Sequence, residues 1–289
     1  MSESNHQPTL SKEQIDSVIA LYSNGQYQEA IDQIRLLNEV HPNVPFLFNL
    51  IGACYKALGQ LNGSVKMFQT AVNIKPDYAE AHKNLGITLR DLGQMDEAIK
   101  SLNKAILAEP NNVDAYYNLA ITLKDLNRSN SAIQSYKKAI EIKPDFVQAH
   151  NNLGNIYKDL EQSESAIQSY KKAIEIKPDF AEAFNNLGSI FYDIQLFEEA
   201  IDVFEKAIAL KPNFAEAYNN LGNSLRGLGR IDSAVKYYEQ AIVLKPDYHY
   251  AHNNLGFVFM GLGEINKAIS CFKIAISIKP DYTEAHNYL

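Results

Sequence analysis

The chain lacks most of what would announce an activity. Its 289 residues include no Trp and only two Cys, Cys54 and Cys271. These lie far apart with no paired spacing, which excludes a disulfide framework and a zinc site of the CxxC kind. Basic residues are outnumbered, 27 against 34 acidic, for a net charge of −7. Proteins that neutralise phosphates carry clustered Lys and Arg, so no nucleic-acid partner is expected. No apolar run approaches the roughly 20 residues that span a bilayer; the nearest, Val44 to Tyr55, contains Asn49. Residues 1–10 are polar and read as a flexible N-terminus without the apolar segment of a signal peptide. The glycine-rich nucleotide loops, the HExxH metal motif and the GxSxG nucleophile elbow are all missing. These absences predict a soluble, cytoplasmic chain that is not an enzyme, with no cofactor, no metal and no membrane partner.

What is present is a ruler. Pro8, Pro42, Pro76, Pro110, Pro144, Pro178, Pro212, Pro246 and Pro280 recur every 34 residues, and only Pro45 falls off the series. A fixed period of that size signals a repeat architecture. Eight repeats follow: 11–44, 45–78, 79–112, 113–146, 147–180, 181–214, 215–248 and 249–282. Residues 283–289 start a ninth and stop at its seventh place, so the natural chain is expected to continue.

Within 79–112, His82, Leu85, Leu89 and Leu92 form the stripe of an amphipathic helix, and Gly93 supplies a left-handed closing residue. Ala98, Ile99, Leu102, Ala105 and Ile106 repeat the pattern until Pro110 stops it. Each repeat is therefore two antiparallel helices. Small residues recur at the eighth place (Gly52, Gly86, Ala120, Gly154, Gly188, Gly222, Gly256) and are Ala at the twentieth and twenty-seventh in nearly every repeat. A larger side chain there would hold the helices apart.

This pattern closely resembles the tetratricopeptide repeat family over residues 11–282. The resemblance implies an all-α fold, a right-handed α-solenoid of stacked helix-turn-helix units that serves as a protein-binding scaffold. The family's frequent Trp at the fourth place is here Phe48, His82, Tyr116, His150, Phe184, Tyr218 or His252. The turn Gly is replaced by Asn127, Glu161 and Gln195. Asn tolerates the left-handed conformation better than Glu or Gln, so these turns are candidates for a different geometry. The first repeat carries Ser17 and Val18 where others have Leu-Gly, and reads as a cap.

At ~100° per residue, places 4, 7, 8, 11 and 14 of the first helix face the core, and places 2, 5, 6, 9, 12 and 13 the opposite side. By resemblance, that side lines the concave groove where tetratricopeptide proteins bind peptides. It is rich in Asn: Asn84, Asn118, Asn152, Asn186, Asn220 and Asn254 at the sixth place, Asn151, Asn185, Asn219 and Asn253 at the fifth, and Asn155 and Asn223 at the ninth. An amide offers a donor and an acceptor to an extended peptide backbone. The rows resemble the asparagine ladder of O-linked N-acetylglucosamine transferases, which would make these repeats the substrate-recognition region of a larger protein glycosyltransferase. The other reading is that each amide bonds only to a neighbouring helix. Under the first reading, replacing Asn152, Asn186 and Asn220 with Ala removes peptide capture and leaves melting unchanged.

A basic line flanks the rows at the twelfth place (Lys56, Arg90, Lys124, Lys158, Arg226), followed by Asp91, Asp125, Asp159 and Asp193 at the thirteenth. Such alternation reads either as a solvated face or as a preference for mixed-charge ligands. The partner expected is a protein or peptide, with self-association through the groove as a further option.

Overall fold

The computed structural model describes residues 10–288; all but the last residue of the N-terminal tail expected at 1–10, and Leu289, lie outside them. Every regular element among the described residues is a helix. The chain divides into two compact halves between Pro144 and Asp145. In the first half, Lys12–Ser23 pairs with Tyr27–Val40, Pro45–Ala57 with Leu61–Ile74, Ala79–Asp91 with Met95–Ala108, and Val113–Asp125 with Ser129–Ile142. In the second half, Val147–Asp159 pairs with Ser163–Ile176, Ala181–Asp193 with Phe197–Leu210, Ala215–Gly227 with Ile231–Leu244, and His249–Gly261 with Ile265–Ile278. A short helix, Thr283–His286, follows. Within each half the second helix of one repeat packs on the first helix of the next, the stacking of an α-solenoid.

Glycine permits the close contact inside most pairs. A Cβ built on Gly222 would lie 2.7 Å from the Tyr238 ring, and one on Gly154 2.6 Å from the Tyr170 ring. Tyr170 and Tyr238 are fully buried, so their rings have nowhere to retreat. Ala173, Ala207 and Ala241 at the twenty-seventh place are also fully buried, which lets the next first helix approach.

The turns within repeats share one geometry, including those where the sequence suggested otherwise. Gly93 closes its helix at φ +78°, with Gly93 N–H donating to the Arg90 carbonyl and Gln94 N–H to the Leu89 carbonyl, both at 2.8 Å. This is a Schellman closure. Asn127 (φ 56°), Glu161 (φ 57°) and Gln195 (φ 62°) adopt the same left-handed state. At Gln195 the matching bonds run to Tyr192 at 2.9 Å and from Leu196 to Phe191 at 2.8 Å. Packing on both sides of the turn imposes the conformation whatever residue occupies it.

The buried arc of the first helix is wider than the sequence stripe. Thr88, Ile156, Ile190 and Ser224 at the tenth place are buried, as are Asn151, Asn185, Asn219 and Asn253 at the fifth. The tenth-place hydroxyls bond to their own helix, Thr88 Oγ1 donating to the Asn84 carbonyl at 2.8 Å. A first helix touches its own partner, the preceding second helix and adjacent first helices, so it is covered on three sides.

A left-handed residue with a Cβ is strained by roughly 1–2 kcal/mol, of which the greater chain freedom of glycine returns a part. Gln195→Gly should therefore raise stability by about 0.5–1 kcal/mol, read as a higher urea midpoint. An unchanged or lower midpoint would show that Gln195 stores no strain.

Candidate functional site

The sixth-place amides sit half-buried at the seams between repeats. In the second half, Asn186 Nδ2 donates to Asn151 Oδ1 at 3.1 Å and to Asn155 Oδ1 at 3.2 Å. Asn220 Nδ2 reaches Asn185 Oδ1 at 3.1 Å, and Asn254 Nδ2 reaches Asn219 Oδ1 at 2.9 Å. The first half repeats the bond once, from Asn84 Nδ2 to Asn49 Oδ1 at 3.1 Å. Apart from the bond to Asn155, which is a ninth-place residue, each links the sixth place of one repeat to the fifth place of the one before. Asn118 instead donates to the Asp114 carbonyl at 2.8 Å and accepts from Arg90 at 3.2 Å. Asn152 is half-buried and also has a partner within the chain.

The fifth-place residues therefore differ from their placement on the outward face. Asn151, Asn185, Asn219 and Asn253 retain only 8, 2, 4 and 2% of their surface. Their amides brace neighbouring repeats. The exception is instructive: Asn253 Oδ1 is buried with no partner, because the next sixth place is Tyr288, which has no amide and meets Phe257 edge-on while stacking with Phe272. At the ninth place, Asn155 Oδ1 and Asn223 Oδ1 accept from the hydroxyls of Tyr170 and Tyr238, each at 2.8 Å. This link was available in the sequence, since these two Asn occur in repeats whose twenty-fourth residue is Tyr.

The charged lines pair across the seams as well. Lys56 lies 3.0 Å from Asp91 and Lys158 3.8 Å from Asp193. Within its own helix Arg90 lies 3.3 Å from Asp91, and Lys124 has a partner of its own. Such solvent-accessible pairs are worth little to stability. Glu182 is held below the ordinary carboxylate range, first by the hydrogen bond from Lys211 at 2.8 Å.

Models of known families match this register. A "TPR repeat" model matches residues 52–89, 88–127, 122–161, 154–195, 188–226 and 222–263, and a "Tetratricopeptide repeat" model matches 249–282. The chain belongs to the tetratricopeptide repeat family. Over 56 residues it is 38% identical to anaphase-promoting complex subunit 3 of Dictyostelium discoideum, a match covering 19% of this chain and 6% of that protein. Among solved structures it is similar to MamA, at 30% identity and a TM-score of 0.54, covering 58% of this chain and 92% of that one. It is also similar to YrrB, described as a TPR protein with an unusual peptide-binding site, at 25% identity and a TM-score of 0.52, covering 65% of this chain and 97% of that one.

Chemistry beyond recognition is sparse on this tetratricopeptide scaffold. Among the described residues, no group of three or more His, Cys, Asp or Glu is placed to hold a metal, and no helix is long and apolar enough to cross a membrane. Both thiols are buried, and burial pushes Cys54 up to about 11. Such a thiol is a poor nucleophile near neutral pH. The fourth-place His residues tie the inter-repeat turn. His82 Nε2–H donates to the Pro76 carbonyl at 2.8 Å, and His252 and His286 make the same contact with Pro246 and Pro280. His82 Nδ1 is buried without a partner, and burial holds this imidazole below its ordinary value.

Two outcomes follow from these contacts. Asn186→Ala leaves the Asn151 carbonyl with one donor fewer, and a lost buried bond costs about 1–2 kcal/mol. The better helix propensity of Ala returns roughly half a kcal/mol, so the urea midpoint should fall, correcting the expectation of unchanged melting. Equal midpoints would show the seam bond to be dispensable. For His82, the folded state binds fewer protons than the unfolded one. Its contribution is therefore present above a pH of about 6.5 and is lost as pH falls through the folded value. His82→Phe, matching Phe48 and Phe184, should flatten the decline in urea midpoint between pH 7 and 5; an identical decline would remove His82 as its source.

Proposed function

We propose that this chain is a non-catalytic protein-interaction scaffold whose first-helix faces hold an extended peptide segment. One observation carries the reading: three of the sixth-place amides, Asn84, Asn186 and Asn254, are oriented by their own seams. With Nδ2 of Asn84, Asn186 and Asn254 committed to the preceding repeat, Oδ1 is left as the acceptor on a half-exposed residue. An acceptor fixed in this way is complementary to a backbone N–H, and fixing it beforehand lowers the ordering cost of binding. The groove residues in this proposal are Asn84, Asn118, Asn152, Asn186, Asn220 and Asn254, with the fifth-place Asn as their supports. The paired charges favour an uncharged or mixed-charge segment over a strongly acidic or basic one. Family membership and the likeness to YrrB support a peptide ligand.

The second reading, recognition of substrate for a protein glycosyltransferase, rests on the same Asn series. It is distinguished by sugar transfer to a bound peptide, which a scaffold alone does not perform.

The test begins with random dodecapeptides displayed on phage and selected against the full chain. N-methylation of individual backbone amides in an enriched peptide should weaken binding about fivefold at the positions that donate to Asn, equivalent to roughly 1 kcal/mol. Asn84→Ala or Asn254→Ala, with helicity retained, should abolish that selectivity at one position each. Enriched peptides that tolerate N-methylation throughout would overturn the backbone reading, and a library without enrichment would overturn the peptide reading.

A further inference from the structure

The ninth place of the first helix varies in size between repeats. It is bulky at Ile19, Ile87, Ile121 and Phe257, and at Asn155 and Asn223 it carries an amide tied to the tyrosine of the twenty-fourth place. Only Ala53 and Ser189 are small there. The residue below each of them is Phe, Phe68 or Phe204, which has no hydroxyl to engage a ninth-place amide. Both positions open into cavities in the same register: about 510 Å³ beside Ala53 and about 210 Å³ beside Ser189.

The two differ in their walls. Around Ala53 the lining includes Leu50, Ala57, Phe68 and Tyr22, with Lys56 and Glu80 at the rim. Around Ser189 it includes Tyr192, Asp193, Asn220 and Asn223. The rim charges of the first cavity are already neutralised: Lys56 lies 3.0 Å from Asp91, and Glu80 2.6 Å from Lys83. A charged guest would have to break one of these pairs, whereas an uncharged apolar guest leaves both intact. The chain's own filler at the equivalent place in the next two repeats is Ile.

We infer that the cavity beside Ala53 is a side-chain socket that takes one aliphatic residue, Leu, Ile or Met, of the bound peptide. The inference rests on the peptide-binding reading above and deepens it. The Asn series grips backbone and is indifferent to sequence, so the second repeat becomes the place where the partner's sequence is read. Socket and amides act together, because Asn84 belongs both to the cavity wall and to the seam with Asn49.

The probe is the set of dodecapeptides enriched on the full chain. Those peptides should share one aliphatic residue, and truncating it to Ala should weaken binding by about tenfold, the scale of two buried methylene groups. Ala53→Ile installs the filler of the neighbouring repeats and should reduce the effect of truncation to about twofold or less. Ala53→Asn with Phe68→Tyr is a second variant that installs the pair of residues 155 and 170, so a failure of A53I to fold does not end the test. Enriched peptides without an aliphatic residue, or a truncation penalty equal in wild type and a folded variant, would overturn the socket while leaving the backbone reading standing. Absence of any enriched peptide would overturn both.

Discussion

The contact between an eighth-place glycine and the ring at the twenty-fourth place governs the geometry of most repeats. Gly52, Gly154, Gly188, Gly222 and Gly256 each face an aromatic ring so closely that an added methyl would stand 2.6 to 2.7 Å away. Such distances lie inside van der Waals contact, so the helices would have to separate. Close approach sets how the two helices cross, and thereby which places of the first helix face outward. Ala120 stands in this series with its methyl fully buried, so one repeat accommodates the extra carbon. Elsewhere a glycine in mid-helix, which costs about 1 kcal/mol in propensity, is offset by burial of a whole ring beneath it.

The second recurrent interaction joins repeats to one another. Asn is a weak helix former, and burying its amide is costly unless it is bonded. The links from Asn84 to Asn49, Asn186 to Asn151, Asn220 to Asn185 and Asn254 to Asn219 meet that cost by pairing amides across each seam. The same bond orients the sixth-place carbonyl oxygen. One end of the side chain is thus engaged in the seam, and this structural role does not exclude the recognition role proposed for the other end. Asn253, whose oxygen lacks this partner, marks where the series of amides ends at Tyr288.

Much of this was legible in the chain. Proline spacing locates the ends of second helices, because the ring cannot extend the hydrogen-bond ladder, and the small residues locate the close contacts. The turns were less legible, since local preference argues against a left-handed Glu161 or Gln195 while packing on both sides imposes it. The fifth-place amides were misplaced for a different reason. A helical wheel divides a helix into two faces, but these helices are covered on three sides, so a place about 120° from the centre of the core stripe is buried against a neighbour. The charged lines were visible; their pairing across the seams was not.

The sequence by itself determined the elements, their period, the small residues that let them meet, and the rows of Asn, Lys and Asp along one helix face. These depend on spacing and on local sterics, which a one-dimensional pattern records. Tertiary structure decided which of those polar groups are paired across a seam and how far each is buried. It also revealed a cavity lined by Ala53 and Phe68. Those outcomes depend on side chains some 35 residues apart being brought within hydrogen-bond distance, and only the stacking of repeats supplies that proximity.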